Sequence, residues 1–194
     1  NIAAGNNYSI FLCEDGSVKT AGNNASGQLG IGNNVNTPTA VTVNGLTDVI
    51  AVSSKHAYTL YLKSDGTVWG SGYNELGQLG NGTTANTNVP VQIPNLSGIV
   101  KVCAGYYDSL FLKNDGTAWG CGYNAYGQLG DGTTIDRHTV VPVSNLTGLN
   151  GIAVSGNHHS LFSKNDGAFY VCGNNGGAYG NGTTANSNIP VLVI

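Results

Sequence analysis

The chain is written in short runs of apolar or alternating residues separated by glycine-rich turns, and no segment carries a helical period with caps. The stretch from Val49 is typical. VIAV from Val49 is an apolar run, YTLYLK from Tyr58 alternates large residues with small or polar ones, and TVWGSG from Thr67 follows the tight-turn signal SDG. Glycine in such a turn supplies a positive φ without steric cost. A glycine-rich loop then leads to VPVQI from Val89. Four strands joined in chain order predict an antiparallel meander.

The same order recurs along the whole chain. Asp-Gly falls at Asp15, Asp65, Asp115 and Asp166, and Gly-Gln-Leu-Gly begins at Gly27, Gly77 and Gly127, in steps of 50 or 51 residues. A degenerate Gly-Ala-Tyr-Gly begins at Gly177. Four units, at about 1–48, 49–98, 99–149 and 150–194, fill a single repeat domain of 194 residues. A lone four-stranded sheet exposes two apolar faces, and radial stacking covers them. The pattern therefore predicts an all-β β-propeller of four-stranded antiparallel blades, about 50 residues each. Three forms satisfy it: a partial ring, a closed four-bladed ring, or half of a two-chain eight-bladed ring. Within the loops, Leu29, Leu79, Leu129 and Tyr179 are expected as local plugs. Gln28, Gln78 and Gln128 are expected to satisfy loop carbonyls or amides.

The string VKVCAGYYDSLFLKNDGTAWGCGYNAYGQLGDG from Val100 resembles the repeat of the regulator of chromosome condensation family. That repeat runs as an apolar strand, Ala-Gly, a histidine-serine-leucine strand, Asp-Gly, an aromatic-Gly strand and Asn-x-x-Gly-Gln-Leu-Gly. The resemblance extends over all four units. The family's histidine column holds Tyr8, Tyr58, Asp108 and His159 here, so only the last unit keeps the residue. The resemblance implies a propeller, usually of seven blades. It also implies a choice of roles: guanine-nucleotide exchange on a small GTPase, chromatin association, or inhibition of an enzyme through one face.

Composition narrows the choice. Charged residues make up 9% of the chain, against about 25% in an average soluble domain. A formal net charge of −3 offers no basic field for nucleic acid or an acidic membrane. No apolar run approaches the roughly 20 residues of a spanning helix, so no membrane insertion is expected. Low charge with abundant Asn, Thr and Gly points to a secreted or cell-surface bacterial protein, with a cytoplasmic or nuclear one as the alternative. The start at Asn1 suggests a mature or excised segment. Cys13, Cys103, Cys121 and Cys172 form no CxxC pair; they are expected as small buried hydrophobes, with one disulfide as the alternative.

The chemistry of a catalytic or metal site does not assemble. His56, His138, His158 and His159 lack metal-ligand spacing. The Asp-Gly turns lack the alternating acids of a calcium loop. His159 and Ser160 are neighbours on a strand and point to opposite sides of it. The glycosylation-type triplets at Asn7, Asn24, Asn81, Asn145 and Asn181 are expected by chance in so Asn- and Thr-rich a chain. No catalytic residue, cofactor or metal is expected, and the protein reads as a non-enzyme.

A meander reverses at every turn, so the first–second and third–fourth turns of all units share one face. Within that face the frame repeats while some columns vary: Asn6-Asn7, His56-Ala57, Tyr106-Tyr107 and Asn157-His158 in the first turn, and Ser26, Leu76, Tyr126 and Gly176 in the long loop. Tyr73 and Tyr123 stand where Asn23 and Asn174 do. Variation on a constant frame is what a loop-built binding surface shows, and tyrosine suits interfaces. Tyr73, Tyr106, Tyr107, Tyr123, Tyr126, His56 and His158 are therefore the expected partner-binding residues, for a protein partner or for self-association. Lys63, Lys113 and Lys164, beside the Asp-Gly turns, are expected as a solvated opposite face.

Overall fold

A computed structural model describes residues 1–156 and 158–193, so Asn157 of the variable first turn, and Ile194, lie outside the described residues. The chain forms sixteen strands and no helix among the described residues. The first sheet holds β1 (Ile2–Gly5), β2 (Tyr8–Leu12), β3 (Val18–Gly22) and β4 (Thr37–Thr42). The second holds β5 (Val49–Ser54), β6 (Tyr58–Lys63), β7 (Val68–Gly72) and β8 (Thr87–Gln92). The third holds β9 (Ile99–Ala104), β10 (Asp108–Lys113), β11 (Ala118–Gly122) and β12 (Arg137–Pro142). The fourth holds β13 (Leu149–Val154), β14 (His159–Lys164), β15 (Phe169–Gly173) and β16 (Ser187–Leu192). Each sheet is an antiparallel meander in chain order. The fourth strand of the second unit starts at Thr87, two residues ahead of the expected Val89, and β13 starts one residue ahead of the expected unit boundary. In all four sheets the third and fourth strands slip register at a glycine with positive φ: Gly22, Gly72, Gly122 and Gly173.

Alternation on the second strand decides how the sheets stack. Ile10, Leu60 and Leu110 face the following sheet and are buried, whereas their counterpart Leu161, on the last sheet, is 39% exposed. Tyr61, Phe111 and Phe162 face the preceding sheet and are buried, whereas Phe11, on the first, is 41% exposed. Three cores result, each built from two successive sheets. Val18, Leu29 and Val43 meet Val49, Val52 and Tyr61 in the first; Leu60, Val68 and Leu79 meet Val102 and Phe111 in the second; Leu110, Val143 and Leu146 meet Ile152 and Phe162 in the third. No core among the described residues joins the fourth sheet back to the first. Of the three forms open to the sequence, the four sheets do not close on themselves as a four-bladed ring; the arc is compatible with both a partial ring and half of a two-chain ring.

Polar groups stitch the same seams. The Tyr8 hydroxyl donates to the Tyr58 carbonyl, and the Tyr58 hydroxyl donates to the Asp108 carbonyl at 2.6 Å. Behind each tyrosine sits a hydroxyl on the next sheet. Thr59 Oγ1 shares its single proton between the Gln28 carbonyl at 2.8 Å and Tyr8 Oη at 3.3 Å. Ser109 Oγ likewise shares its proton between the Gln78 carbonyl at 2.7 Å and Tyr58 Oη at 3.0 Å. The column in which the sequence departs from the family histidine is thus an inter-sheet hydrogen-bond relay.

The relay stops at the third seam. Asp108 occupies the tyrosine position with a side chain too short to repeat the bond. Its Oδ1 is buried without a partner, and so is Oγ of Ser160, the counterpart of Thr59 and Ser109. Burial raises the Asp108 carboxyl to about 7, because an apolar seam disfavours the charged form.

Tyr58→Phe removes two buried hydrogen bonds while the Asp108 carbonyl keeps its bond from the Gly105 amide; the expected loss is about 1–2 kcal/mol in denaturant unfolding. For Asp108 the folded pKa lies above the unfolded one, so its stabilising contribution is complete at low pH and is lost as pH rises towards about 7. Between pH 5 and pH 8 the native protein should lose about 2–3 kcal/mol relative to Asp108→Asn, which stays neutral throughout. Parallel stability–pH curves for the two proteins would refute the assignment.

Candidate partner-binding face

Backbone bonds bring the first turn and the long loop of each unit side by side. The Tyr73 amide donates to the Ala57 carbonyl at 2.9 Å, the Tyr123 amide to the Tyr107 carbonyl at 2.9 Å, and the Asn174 amide to the His158 carbonyl at 2.8 Å. A residue just after the third strand is thereby pinned beside a first-turn residue. In the third sheet both positions carry rings; in the second the ring is Tyr73, beside His56 of the same turn, and in the fourth it is His158.

All seven residues singled out in the sequence join one aromatic cluster. His56 stacks on Tyr106 with centroids 4.9 Å apart and meets Tyr107 at 5.0 Å and Tyr73 at 5.9 Å, both edge-on. Tyr107 stands at the centre, in contact with Tyr73, Tyr106 and Tyr123 and stacked on His158 at 6.3 Å. His158 in turn stacks on Tyr126 at 5.5 Å and meets Tyr123 edge-on at 5.1 Å. Tyr106 and Tyr126, 37% and 36% exposed, present the outermost rings; the other five are half-buried. His158 holds φ at +60°, a left-handed backbone state that histidine, like asparagine and aspartate, adopts more readily than most residues, and its ring lies in the cluster.

The cluster is electrostatically quiet. Burial lowers the pKa of His56 and of His158, so both rings are neutral near pH 7. Tyr73 is raised by burial and by Glu75, whose Oε2 accepts its hydroxyl proton at 3.2 Å. The surface offers apolar ring faces and tyrosine hydroxyls with few charges around them: Glu75 beside Tyr73, Asp136 near Tyr123, and Lys55 next to His56 in the first turn. Among the described residues no three His, Cys, Asp or Glu side chains converge to hold a metal ion.

Beneath the rings the loops are braced by residues whose role the sequence did not announce. Asn24, Asn74, Asn124 and Asn175 are buried. Asn74 accepts from the Leu79 amide at 2.8 Å, donates to the Thr83 and Ala85 carbonyls, and its own amide donates to Asn86 Oδ1 at 2.7 Å. Asn24, Asn124 and Asn175 repeat this network with Asn36, Asp136 and Asn186. The signal was present as an asparagine recurring with the Gly-Gln-Leu-Gly motif. The glutamines do serve loop amides: Gln28, Gln78 and Gln128 accept from Ser26, Leu76 and Tyr126.

Two further expectations meet the structure differently. All four cysteines are free; Cys121 and Cys172 are buried and donate to the Gln78 and Gln128 carbonyls, while Cys13 and Cys103 are half-buried. The lysines of the opposite face are not simply solvated. Lys113 and Lys164 lie over the rings of Trp119 and Tyr170, at 5.6 and 5.9 Å, and near Asp115 and Asp166, because a long apolar stem gains by lying on a ring.

An arc of stacked four-stranded sheets, with its variable chemistry gathered on one loop face, defines a propeller-type repeat protein. The repeat of the regulator of chromosome condensation matches residues 15–62, 65–112 and 115–162, and a second form of it matches 1–28 and 99–128. The chain belongs to that family. Among solved structures, human WBSCR16 aligns over the whole chain at 24% identity with a TM-score of 0.87, covering 52% of that protein. Prp20p from Saccharomyces cerevisiae, in a structure described together with its binding to Gsp1p and histones, aligns over the whole chain at 23% identity and 0.88, covering 50% of that protein. The yeast protein bound to Kap60 aligns at 22% and 0.87, covering 48%. This chain therefore spans about half the length of each, and at these identities the likeness is one of fold. No curated protein matches the sequence.

Proposed function

We propose that the protein is a non-catalytic binding module that recognises a protein partner through its aromatic face. The observation that carries the reading is the seven-ring cluster. Rings from three successive sheets make one continuous surface, and their columns vary between units while the supporting loop network does not. Tyrosine supplies contact area with little side-chain entropy to lose and a hydroxyl for orientation. The neutral histidines and sparse charge favour a partner segment of apolar and hydrogen-bonding character. Low charge and an Asn-, Thr- and Gly-rich surface support an extracellular or cell-surface setting.

A second reading takes its support from the yeast neighbour, whose binding to Gsp1p and histones is described. A module of this fold acting on a small GTPase would accelerate nucleotide release. The two readings separate cleanly. The native protein, used as bait in extracellular and cytosolic fractions, should retain one partner whose measured affinity falls about 30-fold or more in Tyr106→Ala/Tyr126→Ala. Both rings are exposed, so the fold should survive. Unchanged affinity would remove the aromatic face from the interaction. Accelerated release of a fluorescent guanine nucleotide from a small GTPase would favour the second reading.

A further inference from the structure

We propose that the partner is recognised through an uncharged, proline-rich segment in the polyproline II conformation, laid along a row of four tyrosines on the third sheet's loops. The inference rests on the aromatic face being the binding surface. Tyr106, Tyr107, Tyr123 and Tyr126 follow one another at centroid steps of 5.5, 6.5 and 6.1 Å. Each ring meets the next steeply, at 72°, 79° and 74°. Every pair therefore makes a corner, one ring's face beside its neighbour's edge, in place of a flat platform. Polyproline II advances about 3.1 Å per residue, so a chain in that form passes one corner for about every two residues. The compact, apolar pyrrolidine ring packs against aromatic faces of this kind, and aromatic-lined grooves are a general means of holding such segments.

The row is held from both sides by rings of the neighbouring sheets. His56 stacks on Tyr106, and His158 stacks on Tyr107 and on Tyr126. The corners are thus in place before a ligand arrives. A braced set of rings and an already extended segment both lose little conformational freedom on meeting.

Hydrogen-bonding chemistry selects this segment over other peptide forms. Tyr8, Tyr58, Tyr61 and Tyr179 all have their hydroxyls bonded within the protein, and that of Tyr73 goes to Glu75. The four hydroxyls of the row have no partner within the protein among the described residues, and none of them is buried. Four uncommitted donors suit a ligand rich in acceptors and poor in N–H groups. Polyproline II makes no internal hydrogen bonds and proline has no N–H, so its carbonyls need such donors. A helix bonds its own carbonyls and would leave the hydroxyls idle. A strand needs a free backbone ladder, but beneath the rings the Tyr73 and Tyr123 amides are already committed to the Ala57 and Tyr107 carbonyls. The charges nearby, Lys55, Glu75 and Asp136, are few and of both signs, which favours an uncharged segment.

Titration of the isotope-labelled native protein with decaproline, followed by NMR, tests the proposal. Saturable shifts centred on Tyr106, Tyr107, Tyr123 and Tyr126 are expected, with a dissociation constant below about 1 mM. A Gly-Ser peptide of equal length should give none. Tyr106→Phe/Tyr126→Phe keeps both rings and removes two donors, and should weaken binding about 10-fold. Decaproline that does not bind, that binds elsewhere on the protein, or that binds no better than the Gly-Ser peptide overturns the proposal. So does unchanged affinity in the double Phe variant. These failures are separate from failure of the aromatic face as such: a natural partner still lost in Tyr106→Ala/Tyr126→Ala would then present a segment of another kind to the same rings.

Discussion

A sheet only four strands wide with apolar residues on both faces cannot stand in water alone. Every other feature of this protein answers to that constraint. Burying one such side chain is worth about 1.5–3 kcal/mol, and each seam buries several from both sides. Because each sheet is covered in the same way by the next, the residues that form a seam must recur in every unit. The near-identical spelling of Leu29, Leu79 and Leu129, and of Val18 and Val68, expresses a repeated packing problem with one solution.

Hydrogen bonding adds a second condition. A tyrosine hydroxyl, a hydroxyl on the next sheet and a loop carbonyl satisfy one another at the first two seams. The third seam keeps the packing and loses the relay, because Asp108 cannot reach across. Packing is tolerant of the change, since the core of Leu110, Ile152 and Phe162 is intact. Polar satisfaction is not, and it leaves two buried oxygens without partners. A buried carboxyl in that position stays protonated at a pH where an exposed one is charged.

The division between what the sequence makes legible and what it hides follows from the range of the interactions. Strand and turn positions depend on local pattern, and they are visible: the Asp-Gly turns, the four-strand meander and the shared face of the loops are all readable from residue order. The seven rings were also within reach, because alternating chain direction puts Tyr73 beside His56 and Tyr123 beside Tyr107. Their contact across sheets was not, since it depends on the stacking angle. Asn74 and its counterparts were visible as a recurrence but not as a brace, because each reaches as far as eleven or twelve residues along its loop. Likewise Phe11 and Phe162 read alike in sequence. Only a neighbouring sheet makes one exposed and the other buried, so the sequence left the closure of the ring open among three forms.

The phase of the repeat carries the same lesson further. The family repeat over residues 15–62 begins in the turn after β2 and ends within β6, so it takes half of one sheet and half of the next. Of the nine buried residues in the first core, seven fall in that span: Val18, Leu29, Val43, Leu46, Val49, Val52 and Tyr61. Only Tyr8 and Ile10 lie outside it. What is repeated in sequence is therefore a seam rather than a sheet. A seam is the smallest piece in which apolar surface is covered from both sides, and a mutation inside it is felt by both sheets. Loop residues such as Tyr106 and Tyr126 belong to no seam. They are free to change from unit to unit without cost to the frame, and that freedom is why the chemistry of recognition collects on the loop face.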